Sequence, residues 1–507
     1  MLVKDLFQKQ VLKTPDEVAL VFQEEELTWR QIDSLSNRFA HGILELGINK
    51  GDRVAALLTN SPEFVITYLA ILKSGGIFVP LNFQLTAANI GYALNHSESR
   101  ILVCSDEFIP TIQKILPKLN TIHRIVTVGE QRSQNETLSF QDTLYRGKDS
   151  EFSIDLNDDD DSVFLYTAGT TGDPKAVVHT QFSCGFVAQH WARVFHMEAG
   201  KSTLLVLPLF HSFAAHCITL PALVSGTLNI LMGKYRTQSI LEAIQRYHVN
   251  ILALVPAMAT MMINHEDFAK YDLSSLEIVL IGGAIVPFEL LKKWREAFPN
   301  LELVNAYGQT ESCPCCTGLW DVDILKKPRS VGKPWDVVKL KIIDDEGHEH
   351  TAGNTGEIVY QVPSVMKEYY KAPELTAQTV QNGWLFSGDL GYVDADGYVY
   401  IVDRKKDIII RGGENISSME VEEVLHKHPA VLEASIIGAP DKILGETVMA
   451  VVVRKRGSTV SPKEIIEFCK LELESFKVPT RLEFLDELPR NPGGKVLKRV
   501  LKTKYFG

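Results

Sequence analysis

Residues 53–80 read Arg53-Val-Ala-Ala-Leu-Leu-Thr-Asn-Ser-Pro-Glu-Phe-Val-Ile-Thr-Tyr-Leu-Ala-Ile-Leu-Lys-Ser-Gly-Gly-Ile-Phe-Val-Pro80. The apolar run at 53–58 predicts a buried strand, residues 61–73 an amphipathic helix, and 77–80 the next strand. Ser61 stands where a side-chain oxygen can cap the helix, and Gly75-Gly76 can end it. The same pattern returns along the chain, with strands expected at 101–104, 204–206, 228–231, 251–255 and 278–281, the last followed by a helix at 287–298. Such alternation predicts an α/β fold of layered, largely parallel sheets. No internal repeat of fixed period interrupts it.

A chain of 507 residues is too long for one hydrophobic core, so two or three domains or subdomains are expected. With 45% hydrophobic and 23% charged residues it has the composition of a soluble globular protein. A formal charge of −11 argues against a general binder of nucleic acid or anionic membrane. Seven cysteines without even spacing point to a reducing compartment. The start, Met1-Leu-Val-Lys-Asp-Leu-Phe, lacks a signal-peptide pattern, and Lys504-Tyr-Phe-Gly507 carries no peroxisomal or prenylation address. The longest apolar tract, 204–232, is broken by Pro208, His211, His216 and Pro221, which leaves no membrane-spanning segment. A cytoplasmic protein is expected.

After Gly356 the strands become shorter and alternate, and residues 391–402 read as a hairpin around Asp394-Ala-Asp-Gly397. The charged knot Asp403-Arg-Lys-Lys-Asp407 follows. We place a domain boundary inside it, dividing the chain into a large domain, 1–404, and a C-terminal α+β domain, 405–507. In the second, Ser417-Ser-Met-Glu420 is expected to open a helix with a capping box. The block Asn157-Asp-Asp-Asp-Asp161 reads as a solvated linker rather than a metal site, because consecutive carboxylates cannot all point at one ion.

Beyond that block, Ser162-Val-Phe-Leu-Tyr166 feeds a loop that continues Thr167-Ala-Gly-Thr-Thr-Gly-Asp-Pro-Lys175. Gly169 and Gly172 let backbone amides converge, Thr167, Thr170 and Thr171 add hydroxyls, and Lys175 adds a charge, a set suited to a polyphosphate. It is not the loop of the common NTPases, since Pro174 occupies the place of the glycine before Lys-Ser/Thr. Taken alone, the stretch also fits an ordinary strand-to-helix turn.

Four further segments join it: Asn305-Ala-Tyr-Gly-Gln-Thr-Glu311, Trp384-Leu-Phe-Ser-Gly-Asp389, Asp403-Arg404 through Gly412-Gly-Glu-Asn415, and Asn491-Pro-Gly-Gly-Lys495. In this order and at these intervals the set resembles the adenylate-forming acyl-CoA synthetase superfamily, from the region around Leu27-Thr-Trp-Arg30 to the last lysine motif. The resemblance implies a large N-terminal domain of layered α/β subdomains with a small β-barrel-like part, and a mobile C-terminal α+β domain. It implies ATP, Mg2+ and CoA as cofactors, with a small-molecule carboxylic acid as partner and a homodimer as a compatible assembly.

Carboxylate attack on the α-phosphate of ATP brings two anions together, so the site must neutralise charge as the transition state forms. The resemblance assigns Thr167, Gly169, Thr170, Thr171, Gly172 and Lys175 to the departing β- and γ-phosphates, with Glu311 and Thr170 as magnesium ligands and Thr310 beside them. Glu311 also fits a plain acid at a helix N-terminus. Asp389 would accept from the ribose hydroxyls and Arg404 would reach ribose or phosphate. The nucleotide pocket would further comprise Asn305, Ala306, Tyr307, with a flat face for adenine, Gly308, and Gly283 and Ala284 after Gly282. Lys495 would bridge the acyl carboxylate and the α-phosphate, Lys406 would be the hinge, and Gly412 and Gly413 would line the CoA channel.

The acyl pocket is expected to be lined by residues 210–213, by Gly283 and Ala284, and by the start of Cys313-Pro-Cys-Cys316. Amino-acid-activating relatives have an aspartate where His211 stands, so the substrate is expected to lack an α-amino group. His211 either gates the acyl tunnel as part of the catalytic set or is a satisfied core histidine. The cysteines lack tetrahedral-site spacing and a neighbouring histidine, which favours packing over zinc. Residues 365–370, Val-Met-Lys-Glu-Tyr-Tyr, resemble CoA ligases, and a fatty acid of medium or long chain, or an aryl acid, is expected. Ala176 replaces the glycine that many relatives carry after the loop lysine, and reduced loop freedom is expected from it. The alternatives are an acyl-AMP ligase that loads a carrier protein or oxidises the acid, and a nucleotide-binding scaffold without turnover.

Overall fold

The computed structural model describes residues 1–129, 137–150, 154–167, 174–490 and 496–507. Strand Arg53–Leu57 lies between Ile77–Pro80 and Ser99–Ser105, all parallel. The helix between the first two runs Pro62–Ser74; the Ser61 hydroxyl accepts from the Phe64 amide and Gly75, at φ +70°, ends it in the left-handed conformation. Alternate residues of the first strand point to opposite layers: Val54 and Ala56 enter one core, Ala55 and Leu57 another. Both faces are therefore covered, as a parallel sheet requires.

This sheet has eight strands, in the order Glu368–Tyr369, Lys175–Thr180, Asp161–Thr167, Ile77–Pro80, Arg53–Leu57, Ser99–Ser105, Arg124–Val128 and Thr137–Ser139. A second sheet has a parallel centre of Leu228–Leu231, Ser202–Leu205, Ile251–Leu254, Ile278–Gly282 and Glu302–Tyr307. Its strands also divide their side chains: Ile278 and Leu280 join the core of Val54 and Ala56, while Val279 and Ile281 join a third core on the far side. The shared core holds helices Trp29–Glu45, Pro62–Ser74 and Gln181–Val194, so two sheets sandwich a helical layer and carry further helices outside. The second sheet continues through antiparallel strands Thr317–Trp320, Ser330–Pro334, Val399–Arg404, Trp384–Val393, Gly356–Gln361 and Lys339–Ile343, the part expected to be barrel-like. The hairpin at 391–402 lies here.

From Ile409–Arg411 onward a separate five-stranded sheet forms, with helices Ser418–Lys427, Pro462–Glu472 and Lys498–Phe506 and its own cores. Three expectations need correction. Ser417 caps its helix by accepting from the Glu420 amide, but the reciprocal half of the capping box is missing because the Glu420 carboxylate takes Lys477 Nζ at 2.8 Å. The acidic block is not a free linker: Asp160 pairs with Lys50 and Asp161 with Lys367, each at 2.6 Å. Ala176 lies inside strand Lys175–Thr180, 1% exposed, opposite Tyr166. It is not among the positive-φ residues, so alanine meets no backbone penalty there.

Candidate active site

The phosphate-loop sequence joins two paired strands and not a strand to a helix. Thr167 pairs with Lys175 in an antiparallel register, closing the base of a hairpin. Gly169, Thr170, Thr171 and Gly172 lie outside the described residues, as does Lys495. Thr167 and Lys175 face a cleft of about 2160 Å³ at the carboxyl ends of the parallel strands of the second sheet, where open α/β sheets bind ligands. Gly283 and Ala284 follow strand Ile278–Gly282 into the cleft, and Asn305, Ala306, Tyr307, Gly308, Thr310 and Glu311 enter it at and after strand Glu302–Tyr307. Gly283 has φ +79°, a conformation that favours glycine.

Glu311 sits in the short 3-10 turn Thr310–Ser312. Its carbonyl accepts the Met366 amide at 2.7 Å, and Ser364 Oγ donates to the Ser312 carbonyl at 2.8 Å. These bonds tie the turn to the segment that leads into Tyr369, whose hydroxyl donates to Glu311 Oε1 at 2.6 Å. The Lys175 ammonium stands 5.4 Å from the centre of the Tyr369 ring. The phosphate-side lysine and the acidic residue are thus organised by one tyrosine that sequence reasoning left without a role. A carboxylate oxygen at the mouth of a phosphate-suited hairpin has the hard-donor chemistry that Mg2+ requires.

Asp389 is 2% exposed. Its Oδ2 accepts from the Tyr307 hydroxyl at 2.6 Å and Gln309 Nε2 at 2.9 Å, and its Oδ1 takes Arg404 Nε at 3.0 Å. Strand pairing places Asp389 opposite Arg404, so the sheet register itself makes this ion pair. Gln309 is the second residue missed: it lies inside a quoted motif, but nothing local signals a bond to a residue 80 positions away. Each carboxylate oxygen offers two lone pairs, which leaves Oδ1 able to accept another donor.

The other end of the cleft is apolar, with Trp191, Phe210, Phe213 and Cys217 beside His211. His211 Nδ1 accepts from the Phe213 amide at 3.3 Å, which assigns the ring proton to Nε2. Burial pushes the imidazole pKa down to about 4, so it is neutral near pH 7. Pro314 lines the cleft, whereas Cys313, Cys315 and Cys316 are buried in the core. Cys313 is unlike the other two, its Sγ lying 3.3 Å from His179 Nδ1.

Lys406 also lines the cleft. Lys405 beside it still holds the large domain, through Asp345 at 2.8 Å and the Gly388 carbonyl, while Ile409 already belongs to the C-terminal sheet. Asp403 Oδ2 accepts from Ser418 Oγ at 2.7 Å and Arg329 pairs with Glu423, which bind the small domain against the cleft in this arrangement. Gly412 and Gly413 are not part of the cleft lining; they form the turn between strands Ile409–Arg411 and Glu414–Ile416.

Residues 7–370 match the AMP-binding enzyme family, and residues 420–495 match the AMP-binding enzyme C-terminal domain. The long-chain-fatty-acid–CoA ligase FadD13 of Mycobacterium tuberculosis is 35% identical over 480 residues, covering 94% of this chain and 93% of that protein. The fatty acid–[acyl-carrier-protein] ligase ScoC of Streptomyces coeruleorubidus is also 35% identical, over 97% of this chain and 94% of its own length. Among solved structures, the anthranilate CoA ligase AuaEII in complex with anthranoyl-AMP superposes with a TM-score of 0.93 at 28% identity, covering 99% of this chain and 97% of that one. With residues 7–370 and 420–495 matched and FadD13 35% identical across 94% of the chain, the chain belongs to the AMP-binding enzyme family.

Proposed function

We propose that the protein is an ATP-dependent carboxylic acid:CoA ligase. It activates a medium- or long-chain fatty acid or an aryl acid as acyl-AMP with release of pyrophosphate, then transfers the acyl group to the CoA thiol with release of AMP. The observation that carries this reading is the layout of one cleft. Lys175, Glu311 and Tyr369 lie towards the phosphate hairpin, Asp389 and Arg404 at a ribose-sized polar patch, and Trp191, Phe210 and Phe213 along an uncharged arm.

The residue roles belong to the same proposal. Asp389 accepts from the ribose, with Tyr307 and Gln309 keeping its carboxylate oriented, and the Tyr307 ring offers a face to adenine. Lys175 and Arg404 offset phosphate charge. Glu311, with Thr170, would hold Mg2+, which supplies charge neutralisation on the phosphates. Neutral His211 carries no charge to attract a substrate ammonium, which supports an acid without an α-amino group, and its place in the cleft lining between Phe210 and Phe213 in sequence supports a gating role. Lys495 bridges the acyl carboxylate and α-phosphate in the first step. The unit 405–507 then turns about Lys406, bringing Gly412 and Gly413 to the CoA channel. A cytoplasmic setting and a homodimer belong to the same reading. Among the described residues no helix is long and apolar enough to cross a membrane.

The test has two arms. A panel of fatty and aryl acids is scored by acid-dependent pyrophosphate release, and the productive acids by AMP release with CoA or with a pantetheinylated carrier protein. The similarity to ScoC is the reason for the carrier arm, and AMP release with the carrier but not with CoA would replace the proposal. Lys495→Ala should abolish adenylate formation yet leave CoA transfer from supplied acyl-adenylate largely intact. Equal loss of both steps would remove the bridging role.

A further inference from the structure

Lys498 is the first residue of helix Lys498–Phe506, three positions after Lys495. A cation is disfavoured there, because the first turn of a helix carries unpaired amides and partial positive charge. What holds it is a buried set of groups from both sides of the domain boundary. Its Nζ pairs with Glu422 Oε1 at 2.8 Å and donates to Ser418 Oγ at 2.5 Å. Ser418 Oγ in turn donates to Asp403 Oδ2 at 2.7 Å, and the Ser418 amide donates to the same oxygen at 2.5 Å. An ammonium only donates and a carboxylate only accepts, so the hydroxyl proton points at Asp403 and the chain of donors runs from Lys498 through Ser418 to Asp403.

Asp403 lies on strand Val399–Arg404 of the large domain, whereas Ser418 and Glu422 lie on helix Ser418–Lys427 of the small one. Asp403 therefore supplies, from the other domain, the acid that the N-terminus of that helix favours. Asp403 is 2% exposed and Ser418 0%. Burial pushes the Glu422 carboxyl above its ordinary range; Lys498 pulls it down and the Asp403 charge pushes it up again. Without the ammonium, the two carboxylates repel one another across the boundary with no cation to offset them. The other ion pair across the boundary, Arg329 with Glu423, has its arginine 52% exposed, where such pairs are worth little. Removing a member of the buried set instead strands a charge or a donor.

We propose that Lys498 is a positioning residue: with Ser418 and Asp403 it latches the small domain in the arrangement that adenylates the acid. The proposal rests on the ligase reading above, in which the unit 405–507 turns about Lys406. That hinge lies between Asp403 and Ser418 in sequence, so the turn separates the two, while the Lys498–Glu422 pair travels with the small domain. In the present arrangement Val496, Leu497 and Lys498 line the same cleft as Lys175, Glu311 and Asp389. The chain that follows Lys495 is thus brought to the nucleotide cleft while the latch is made.

The experiment compares the wild type with Lys498→Met, which keeps side-chain length without charge, and with Ser418→Ala, which removes only the hydroxyl bridge. Urea unfolding first establishes that each is folded. Acid-dependent pyrophosphate release should fall about tenfold in kcat in Lys498→Met and less in Ser418→Ala, the scale of one lost hydrogen bond to a charged group. AMP release from supplied acyl-adenylate and CoA should not fall in either. Trypsin cleavage after Lys405 or Lys406, identified by fragment mass, should be about tenfold faster in Lys498→Met, since cleavage follows the population of the opened form. Equal loss of both half-reactions, or hinge cleavage at the wild-type rate in the folded variants, would overturn the proposal. Should the wild type release no pyrophosphate with any acid, the ligase reading fails, and the cleavage rates still decide whether Lys498 latches the domains. If Lys498→Met does not fold, Ser418→Ala decides by the same measurements.

Discussion

Tyr369 holds Glu311: its hydroxyl donates to Oε1 at 2.6 Å across 58 residues of sequence. A hydrogen bond to a charged group is worth about 1.5–3 kcal/mol, and each 1.4 kcal/mol is a factor of ten. Tyr369→Phe keeps the ring under Lys175 but frees the carboxylate. Pyrophosphate release should fall roughly 10- to 100-fold in kcat/KM, with a raised Mg2+ requirement and little change in the acid's own KM. An unchanged Mg2+ dependence would show that the tyrosine does not position Glu311 for the metal-binding role proposed for it.

Asp389 joins three partners, and its loss should be felt by all of them. In Asp389→Asn the Arg404 guanidinium loses its counter-charge, and the amide cannot accept at both positions from Tyr307, Gln309 and a ribose hydroxyl at once. We expect KM for ATP to rise by about tenfold or more, since lost interactions to charged groups are worth about 1.5–3 kcal/mol. The acid KM should move little, because the apolar arm is untouched. Gln309→Ala should show the same pattern more weakly. Steady-state kinetics with ATP and acid varied separately distinguish the two effects.

What could be read in advance was what neighbours encode. The strand at 53–57, the Ser61 cap and the Gly75 stop depend on residues within a few positions, and so does the hairpin at 391–402. The acidic and basic members of the cleft were visible as motifs because each lies in a short distinctive run. Tyr369, Gln309 and the meeting of His179 with His216 and Cys313 were not, because sheet pairing and helix packing create those contacts from distant segments. The Ser417–Glu420 box failed for the same reason: Lys477 on another segment took the glutamate that the local pattern assigned to the helix. The hairpin character of the phosphate loop was hidden because an apolar run before a glycine-rich turn reads alike whether a strand or a helix follows.

Acid should unfold the protein through its neutral histidines. Burial is the first cause that lowers His190, His211 and His426 to a pKa of about 4, against an ordinary 6.5. The unfolded chain therefore binds more protons than the folded one between about pH 6.5 and 4. The stabilisation is fully present above pH 6.5 and is lost as pH falls through 4, at up to about 1.4 kcal/mol per pH unit for each histidine. His190→Phe should make the decline of unfolding free energy between pH 6.5 and 4 shallower by up to one proton. An unchanged slope in urea titrations across that range would show that His190 protonates as readily in the fold as outside it.

At Ala176 the structure predicts a cost for glycine. The residue is buried in strand Lys175–Thr180, with extended backbone, and its carbonyl accepts the Tyr370 amide at 2.9 Å. Nothing there calls for positive φ, so Ala176→Gly adds freedom mainly to the unfolded chain and removes a methyl group from the core around Val178 and Phe164. Glycine inside a strand is destabilising by roughly 0.5–1 kcal/mol relative to alanine. Urea unfolding should show a loss of that order, while pyrophosphate release at saturating ATP stays within about twofold, a change worth under 0.5 kcal/mol. A large gain in turnover would instead mean that freedom at position 176 reaches the loop beyond Lys175.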